Sequence, residues 1–160
     1  MQAPEMVEKS RIFLGRESLQ LLSKTVIILK KRGKGVKHMR KILIADASEQ
    51  WRELLEKAMA DAYLVRTSPD GPKTMQSIEE FEPDVLVMDL MLPGTDGLSI
   101  LKALEGSPTR PRIIITGRYF SDFITNSLER YQVDDVILKP CAVRSITDRV
   151  EEVLALQDGE

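Results

Sequence analysis

Residues 84–97 read DVLVMDLMLPGTDG, and this stretch decides the fold. An unbroken apolar run, residues 85–88, leads directly into Asp89, and a proline and two glycines follow within eight residues. Continuous aliphatic runs without alternation are typical of strands buried on both faces of a parallel sheet. A carboxylate at the end of such a strand is costly unless it is paired or binds a cation. Asp89 is therefore a candidate site residue.

The chain from Met39 onward alternates short apolar runs with amphipathic stretches. The apolar runs predict strands at residues 41–45, 63–65, 85–88, 112–116 and 136–138. Helical spacing predicts helices at about residues 48–62, 73–81, 97–104, 121–131 and 142–156. Five repeats of strand then helix favour an α/β fold, a doubly wound five-stranded parallel sheet with five helices covering both faces.

Polar residues stand at the ends of four of the predicted strands. In doubly wound folds, sites form at the carboxyl ends of the strands. The four residues are Asp46, Asp89, Thr116 and Lys139. The two carboxylates suit Mg²⁺, which is usually held by one or two carboxylates together with water and phosphate oxygens. Lys139 is placed to pair with Asp89 or with an anion bound to it.

These motifs resemble those of the receiver domain of bacterial two-component response regulators. The most specific likeness is the opening stretch, residues 84–97, which is similar to the family's phosphoacceptor strand and loop. VDDVILKP at residues 133–140 resembles the fifth strand, and KILIADAS (41–48) and IIITG (113–117) match the first and fourth strands less closely. The resemblance covers residues 39 to about 156 and implies a flavodoxin-like, CheY-like sheet with strand order 2-1-3-4-5.

The resemblance also implies a role for each residue at the strand ends. Asp89 would accept a phosphoryl group from a phosphohistidine on a sensor histidine kinase or a phosphotransfer protein. Asp46 and Asp89, with the backbone carbonyl of Met91, would hold Mg²⁺. Thr116 would contact the phosphoryl group. Lys139 would neutralise its charge, and the peptide bond after this lysine would be cis.

Two positions depart from the family pattern. The family usually has two adjacent acids after the first strand, and Ala47 takes the second place, which is normally a direct metal ligand. We expect weaker Mg²⁺ binding, because ligand charge largely sets the affinity for a hard cation. Val136 stands where the family often has an aromatic residue that changes rotamer with Thr116, so that part of the switch cannot operate in the usual way.

Two functions of different classes stay open. The first is a single-domain response regulator that is phosphorylated on Asp89 and signals by phosphorylation-dependent partner binding. Its catalysis would be limited to its own phosphorylation and dephosphorylation. The second is a pseudo-receiver, a protein-interaction module that works without phosphorylation. The four polar strand ends favour the first function, whereas Ala47 and Val136 favour the second.

Further expectations concern partners and location. No DNA-binding output domain is evident in the sequence, so we expect action through a kinase or phosphotransfer protein and a downstream effector, with a homodimer as a further possibility. Trp51 and Leu54 are either core residues or part of the surface that meets the kinase. No apolar run approaches the roughly 20 residues of a membrane span, and the single Cys141 excludes an intrachain disulfide. A cytoplasmic, bacterial protein is the expectation.

Residues 1–38 differ in charge from the rest of the chain. They hold nine basic and three acidic residues, whereas residues 39–160 hold 14 basic and 22 acidic residues. Alternating glycines and lysines in residues 30–39 are typical of a flexible linker and predict a domain boundary near Met39. Two interpretations stay open: a basic tail that contacts nucleic acid or an anionic membrane, or a disordered or dispensable stretch ahead of a true start at Met39.

Overall fold

The computed structural model of the chain describes residues 38–159, in which five strands alternate with five helices. The strands are β1 (Lys41–Ala45), β2 (Leu64–Ser68), β3 (Val85–Asp89), β4 (Arg112–Gly117) and β5 (Asp135–Leu138). The helices are α1 (Glu49–Met59), α2 (Gly71–Phe81), α3 (Gly97–Ala103), α4 (Asp122–Arg130) and α5 (Val143–Gln157). The predicted basic extension lies outside the described residues, except for His38, which is exposed.

All five strands run parallel in one sheet, in the order β2-β1-β3-β4-β5. This order confirms the predicted doubly wound α/β fold. The strand order reverses between β1 and β3, which lie side by side near the middle of the sheet. In open parallel sheets, this switch point opens a crevice at the carboxyl ends of the strands. The topology therefore places the candidate site at the carboxyl ends of β1 and β3.

The core consists of two hydrophobic clusters, one on each face of the sheet. Successive residues of a strand point to opposite faces. Leu43 and Leu86 join the cluster beneath α2, α3 and α4, whereas Ile42 and Val85 join the cluster beneath α1 and α5. All four side chains are fully buried. Burial on both faces explains why these strands have unbroken apolar sequences.

Two element ends differ by three residues from the sequence-based expectation, and the others differ by at most two. The edge strand β2 continues to Ser68, three residues beyond its short apolar run, because its polar residues pair with β1 while facing partly to solvent. Helix α1 ends at Met59, earlier than its helical spacing predicts. No helix within residues 38–159 is long and apolar enough to cross a membrane.

An ion-pair network lies at the amino-terminal ends of the strands, at the opposite end of the sheet from Asp46 and Asp89. The Arg40 guanidinium lies 3.0 Å from Asp84 and also contacts Asp158. The other carboxylate oxygen of Asp84 accepts the Lys41 backbone N–H at 2.7 Å. The network thus ties the start of β1 to the residue before β3 and to the end of α5.

We expect Asp84→Ala to lower the free energy of unfolding by about 1–3 kcal/mol, because it removes an ion pair and leaves a partly buried backbone donor unpaired. Urea unfolding at pH 7 measures the loss. Arg144→Ala is the matched control, since it breaks an exposed pair with Asp148 that should contribute less than about 1 kcal/mol. Equal losses in the two variants would contradict the assignment.

Candidate functional site

The carboxyl ends of β1, β3 and β5 bring three charged side chains into contact. Asp46 directly follows β1, Asp89 ends β3, and Lys139 directly follows β5. The Lys139 ammonium nitrogen lies 2.5 Å from a carboxylate oxygen of Asp46 and 2.5 Å from one of Asp89. Asp46 is only 4% exposed. The ammonium is therefore the counter-ion that compensates for the burial of these carboxylates.

The second oxygen of each carboxylate accepts a backbone N–H from the loop that follows its strand. Asp46 accepts from Ser48 at 2.8 Å, and Asp89 accepts from Met91 at 2.7 Å. Aspartates commonly fix turns in this way, by bonding to the backbone two residues further on. Each of the four carboxylate oxygens thus has a protein donor, and each loop is held by the acid that precedes it.

Thr116 adjoins Asp89 through the pairing of β3 with β4. The two residues are partners in the register of these strands, and the Leu90 N–H donates to the Thr116 carbonyl at 2.9 Å. Thr116 is buried, and its hydroxyl forms no hydrogen bond with any residue from 38 to 159. The hydroxyl is therefore available to a group bound on Asp89. The structure brings all four predicted residues to one edge, while their individual roles stay predictions.

Burial and pairing act in opposite directions on the pKa of Lys139. Burial, the largest single effect, lowers the pKa, but the hydrogen bonds and charges of Asp46 and Asp89 together raise it above its usual value. Lys139 therefore carries its positive charge throughout the neutral range. Its backbone N–H donates to the Gly117 carbonyl at 2.7 Å, and its peptide bond to Pro140 is cis, as the resemblance implied.

Arg52, near the start of α1, was not predicted as a site residue. Its guanidinium donates to the backbone carbonyls of Asp46 at 2.7 Å and Ala47 at 3.1 Å. Arg52 thus holds the loop that carries Asp46 and brings positive charge to the place of the missing second acid. The sequence offers only its position six residues after Asp46, and arginines on amphipathic helices are too common for that spacing to indicate a site.

The charged residues line an open cleft of about 1020 Å³. Apolar side chains form much of its wall, and these include Trp51, Met91, Tyr119, Ile124 and Cys141. Met91 and Tyr119 are 75% and 74% exposed. Trp51 is half-buried and packs against the core beneath α1, so it belongs to the core and to the cleft wall at once. Leu54, at 52% exposure, lies at the surface.

The same edge supplies the candidate ligands for Mg²⁺. Two carboxylates and a backbone carbonyl are a minimal protein donor set for this cation, which completes its coordination with water and phosphate oxygens. Within residues 38–159, no three acidic, histidine or cysteine side chains converge on one point. Ala47, which lines the cleft beside Asp46, contributes no carboxylate. The two carboxylates present therefore fit Mg²⁺, with one carboxylate fewer than the family pattern usually has.

Comparison with known proteins decides the family. The family model of the response regulator receiver domain matches residues 42–151. The chain belongs to this family. Receiver domains generally act in two-component signalling, through interactions with histidine kinases and effectors rather than as enzymes, and they typically bind Mg²⁺ at the phosphorylation site.

Curated relatives of this receiver domain include larger regulators. It is 30% identical over 114 residues to the transcriptional regulatory protein CseB of Streptomyces coelicolor, covering 71% of this chain and 48% of CseB. It is 35% identical over 78 residues to protein-glutamate methylesterase/protein-glutamine glutaminase 5 of Myxococcus xanthus, covering 47% of this chain and 22% of that protein. The chain thus spans less than half the length of both relatives.

Solved structures show the same fold at low sequence identity. The CheY-like response regulator receiver domain protein from Methanospirillum hungatei gives a TM-score of 0.70 at 22% identity, covering 76% of this chain and 98% of that one. The signal receiver domain of a Luxo repressor protein from Vibrio parahaemolyticus gives 0.68 at 22% identity, covering 75% and 95%. These likenesses confirm the CheY-like fold.

We expect Lys139→Met to lower the free energy of unfolding at pH 7 by about 1–3 kcal/mol, because the buried Asp46 and the partly buried Asp89 lose a shared charged hydrogen-bond donor. Folding raises the pKa of Lys139. The stabilisation is therefore fully present below the unfolded pKa of about 10.4 and is lost as the pH rises through the higher folded pKa.

Urea unfolding of the wild-type protein and of Lys139→Met, from neutral pH to beyond pH 11, checks the direction of this pH dependence. The difference between them should stay constant up to about pH 10 and then shrink. Lys102→Met, at an exposed position on α3, should show no such dependence. A difference that instead disappears on acidification toward pH 7 would show that Lys139 is not the group responsible.

Proposed function

We propose that this receiver domain accepts a phosphoryl group on Asp89 and signals by phosphorylation-dependent binding of a partner protein. The observation that carries the proposal is the contact of the Lys139 ammonium with both Asp46 and Asp89 at the open edge of the sheet. The donor would be a phosphohistidine on a sensor histidine kinase or a phosphotransfer protein. The domain would act as a single-domain regulator whose catalysis is limited to its own phosphorylation and dephosphorylation.

The geometry supports in-line phosphoryl transfer to Asp89. A carboxylate oxygen of Asp89 forms a bond to phosphorus while the bond from phosphorus to the histidine nitrogen breaks, and the electron pair returns to the imidazole. The product is an aspartyl phosphate. Such transfers depend on positioning and charge neutralisation rather than on a strong base. Lys139 supplies the positive charge, and the free hydroxyl of Thr116 is the hydrogen-bond donor.

Mg²⁺ would be held by Asp46, Asp89 and the Met91 carbonyl, and it would supply further neutralisation of the phosphoryl charge when bound. We expect its affinity to be low for two reasons. Ala47 provides no carboxylate, and the Lys139 ammonium already lies against the same two acids. Arg52, on the carbonyls of Asp46 and Ala47, adds a further positive charge to the loop.

A pseudo-receiver is the second candidate. Val136 is 39% exposed and has no ring to couple to Thr116. Lys139 also pairs with both Asp46 and Asp89, so each carboxylate already has a cationic partner within the chain. A module of this kind would bind its partner constitutively. Whether Asp89 can be phosphorylated therefore discriminates between the two functions.

Incubation with acetyl phosphate, with and without Mg²⁺, tests the proposed function by intact mass. We expect the addition of one phosphoryl group that depends on Mg²⁺ and is lost in Asp89→Asn. Asp122→Asn, at an exposed aspartate on α4, should still accept the group. A folded wild-type protein that gains no mass at any Mg²⁺ concentration would favour the pseudo-receiver.

Ala47→Asp should raise the affinity for Mg²⁺ by about tenfold or more, because a third carboxylate adds charge to the donor set. Trp51 is the single tryptophan of the chain and lines the cleft, so its fluorescence follows a Mg²⁺ titration. Ala47→Asn has the same shape without the charge and should bind Mg²⁺ far more weakly than the aspartate variant. Equal affinity in the two variants would refute the role assigned to Ala47.

A further inference from the structure

The loop between β3 and α3, residues 90–96, follows Asp89 and carries the Met91 carbonyl. Besides the bond from the Leu90 N–H to the Thr116 carbonyl, two further backbone hydrogen bonds hold the loop. The Gly97 N–H donates to the Leu90 carbonyl at 2.8 Å, which closes the loop on itself. The Gly71 N–H donates to the Pro93 carbonyl at 2.9 Å. The second contact comes from α2, which contributes no residue to the cleft.

Gly71 is the residue that lets α2 approach the loop so closely. It is buried, and a Cβ atom on it would lie 2.1 Å from the Thr95 carbonyl oxygen and 2.5 Å from the Thr95 Cβ. These distances are far shorter than any non-bonded contact allows. The nearest obstacle is backbone and cannot rotate away. Any side chain at position 71 must therefore displace either the loop or the helix.

The loop meets the same turn of α2 a second time, at Gly94. This glycine has φ +80°, a conformation that residues with a side chain rarely adopt. A Cβ on Gly94 would lie 2.9 Å from Cδ of Pro72. Gly71 and Pro72 thus fit against Thr95 and Gly94, and the loop and the first turn of α2 interlock.

The first turn of α2 is itself fixed to the sheet. Asp70 caps the helix by accepting the Lys73 N–H at 2.8 Å. The buried Thr74 hydroxyl is 2.5 Å from the hydroxyl of Ser68, the last residue of β2, and donates to the Asp70 carbonyl at 2.7 Å. The end of β2 therefore sets the position of Gly71.

We propose that Gly71 is a positioning residue for the phosphoacceptor site, acting on the Met91 carbonyl and on Asp89 through Pro93 and Thr95. This inference rests on the proposed function, since it assigns to α2 the placement of the loop on which phosphoryl transfer to Asp89 depends. Gly71 itself touches neither Asp89 nor any group bound there. Its effect is mechanical, because it fixes how near the loop lies to α2.

Gly71→Ala tests the proposal against Ile78→Val in the same helix. Ile78 is a buried core residue beyond the first turn of α2, so Ile78→Val removes core packing but leaves the contact between Gly71 and the loop in place. Two quantities are measured on each folded variant: the rate of phosphorylation by acetyl phosphate with Mg²⁺, and hydrogen exchange of the Met91 and Gly97 amides. The exchange rates are taken relative to the slowest core amides of the same variant, which removes the effect of overall stability.

We expect Gly71→Ala to slow phosphorylation at least tenfold and to speed the relative exchange of both amides at least tenfold. Ile78→Val should lose stability and leave both quantities within twofold of the wild-type values. The proposal would be overturned if Gly71→Ala behaved like Ile78→Val. Should Gly71→Ala not fold, Pro72→Ala, which removes only the contact with Gly94, should give a severalfold change in exchange, and no change would overturn the proposal.

The two proposals fail in different ways. A wild-type protein that takes up no phosphoryl group would contradict the proposed function. The exchange of the Met91 and Gly97 amides would still show whether Gly71 positions the loop. Normal phosphorylation with unchanged exchange in Gly71→Ala would leave the proposed function intact and refute the positioning role.

Discussion

One ammonium group joins the ends of three strands. Lys139 follows β5, and β4 lies between β5 and β3 in the sheet, yet the ammonium reaches Asp89 at the end of β3 and Asp46 after β1. Two carboxylates so close together repel each other unless a cation lies between them. Lys139 therefore stabilises the arrangement in which the loops after β1 and β3 bring Asp46 and Asp89 together. Under the proposed function, the same positive charge would already lie beside Asp89 when a phosphoryl group arrives.

The fold could be predicted from the sequence because the central strands are buried on both faces. Residues 85–88 and 113–115 have continuous apolar sequences for that reason, and the strand order followed from the resemblance. The edge strand β2 was the least well predicted, since its outer residues need not be apolar and the run at residues 63–65 captures only part of it. The end of α1 was also placed too late, because helix-forming residues continue beyond Met59 while the packing against the core does not.

The candidate site could be predicted residue by residue but not contact by contact. Asp46 and Asp89 were recognisable because each stands at the end of a buried strand, where a charged group needs a reason. Lys139 was recognisable from the resemblance of residues 133–140 to the family's fifth strand. Arg52 and Gly71 gave no such signal. An arginine on an amphipathic helix is usually a solvated residue, and a glycine beside a proline indicates a turn. Arg52 contacts backbone carbonyls of the preceding loop, and Gly71 contacts the backbone of a loop more than 20 residues away. Such contacts depend on packing that no local pattern encodes.

The interlock between α2 and the loop after β3 has a consequence for how this chain can vary. Both glycine contacts require the connections from β2 to α2 and from β3 to α3 to keep their lengths, because an insertion in either one would move Gly71 or Gly94 out of register with its counterpart. The connection from α3 to β4, residues 104–111, leads to the opposite end of the strands and takes part in neither glycine contact. We therefore expect changes of length to be tolerated better there than in the two connections beside Asp89, whose lengths are constrained together.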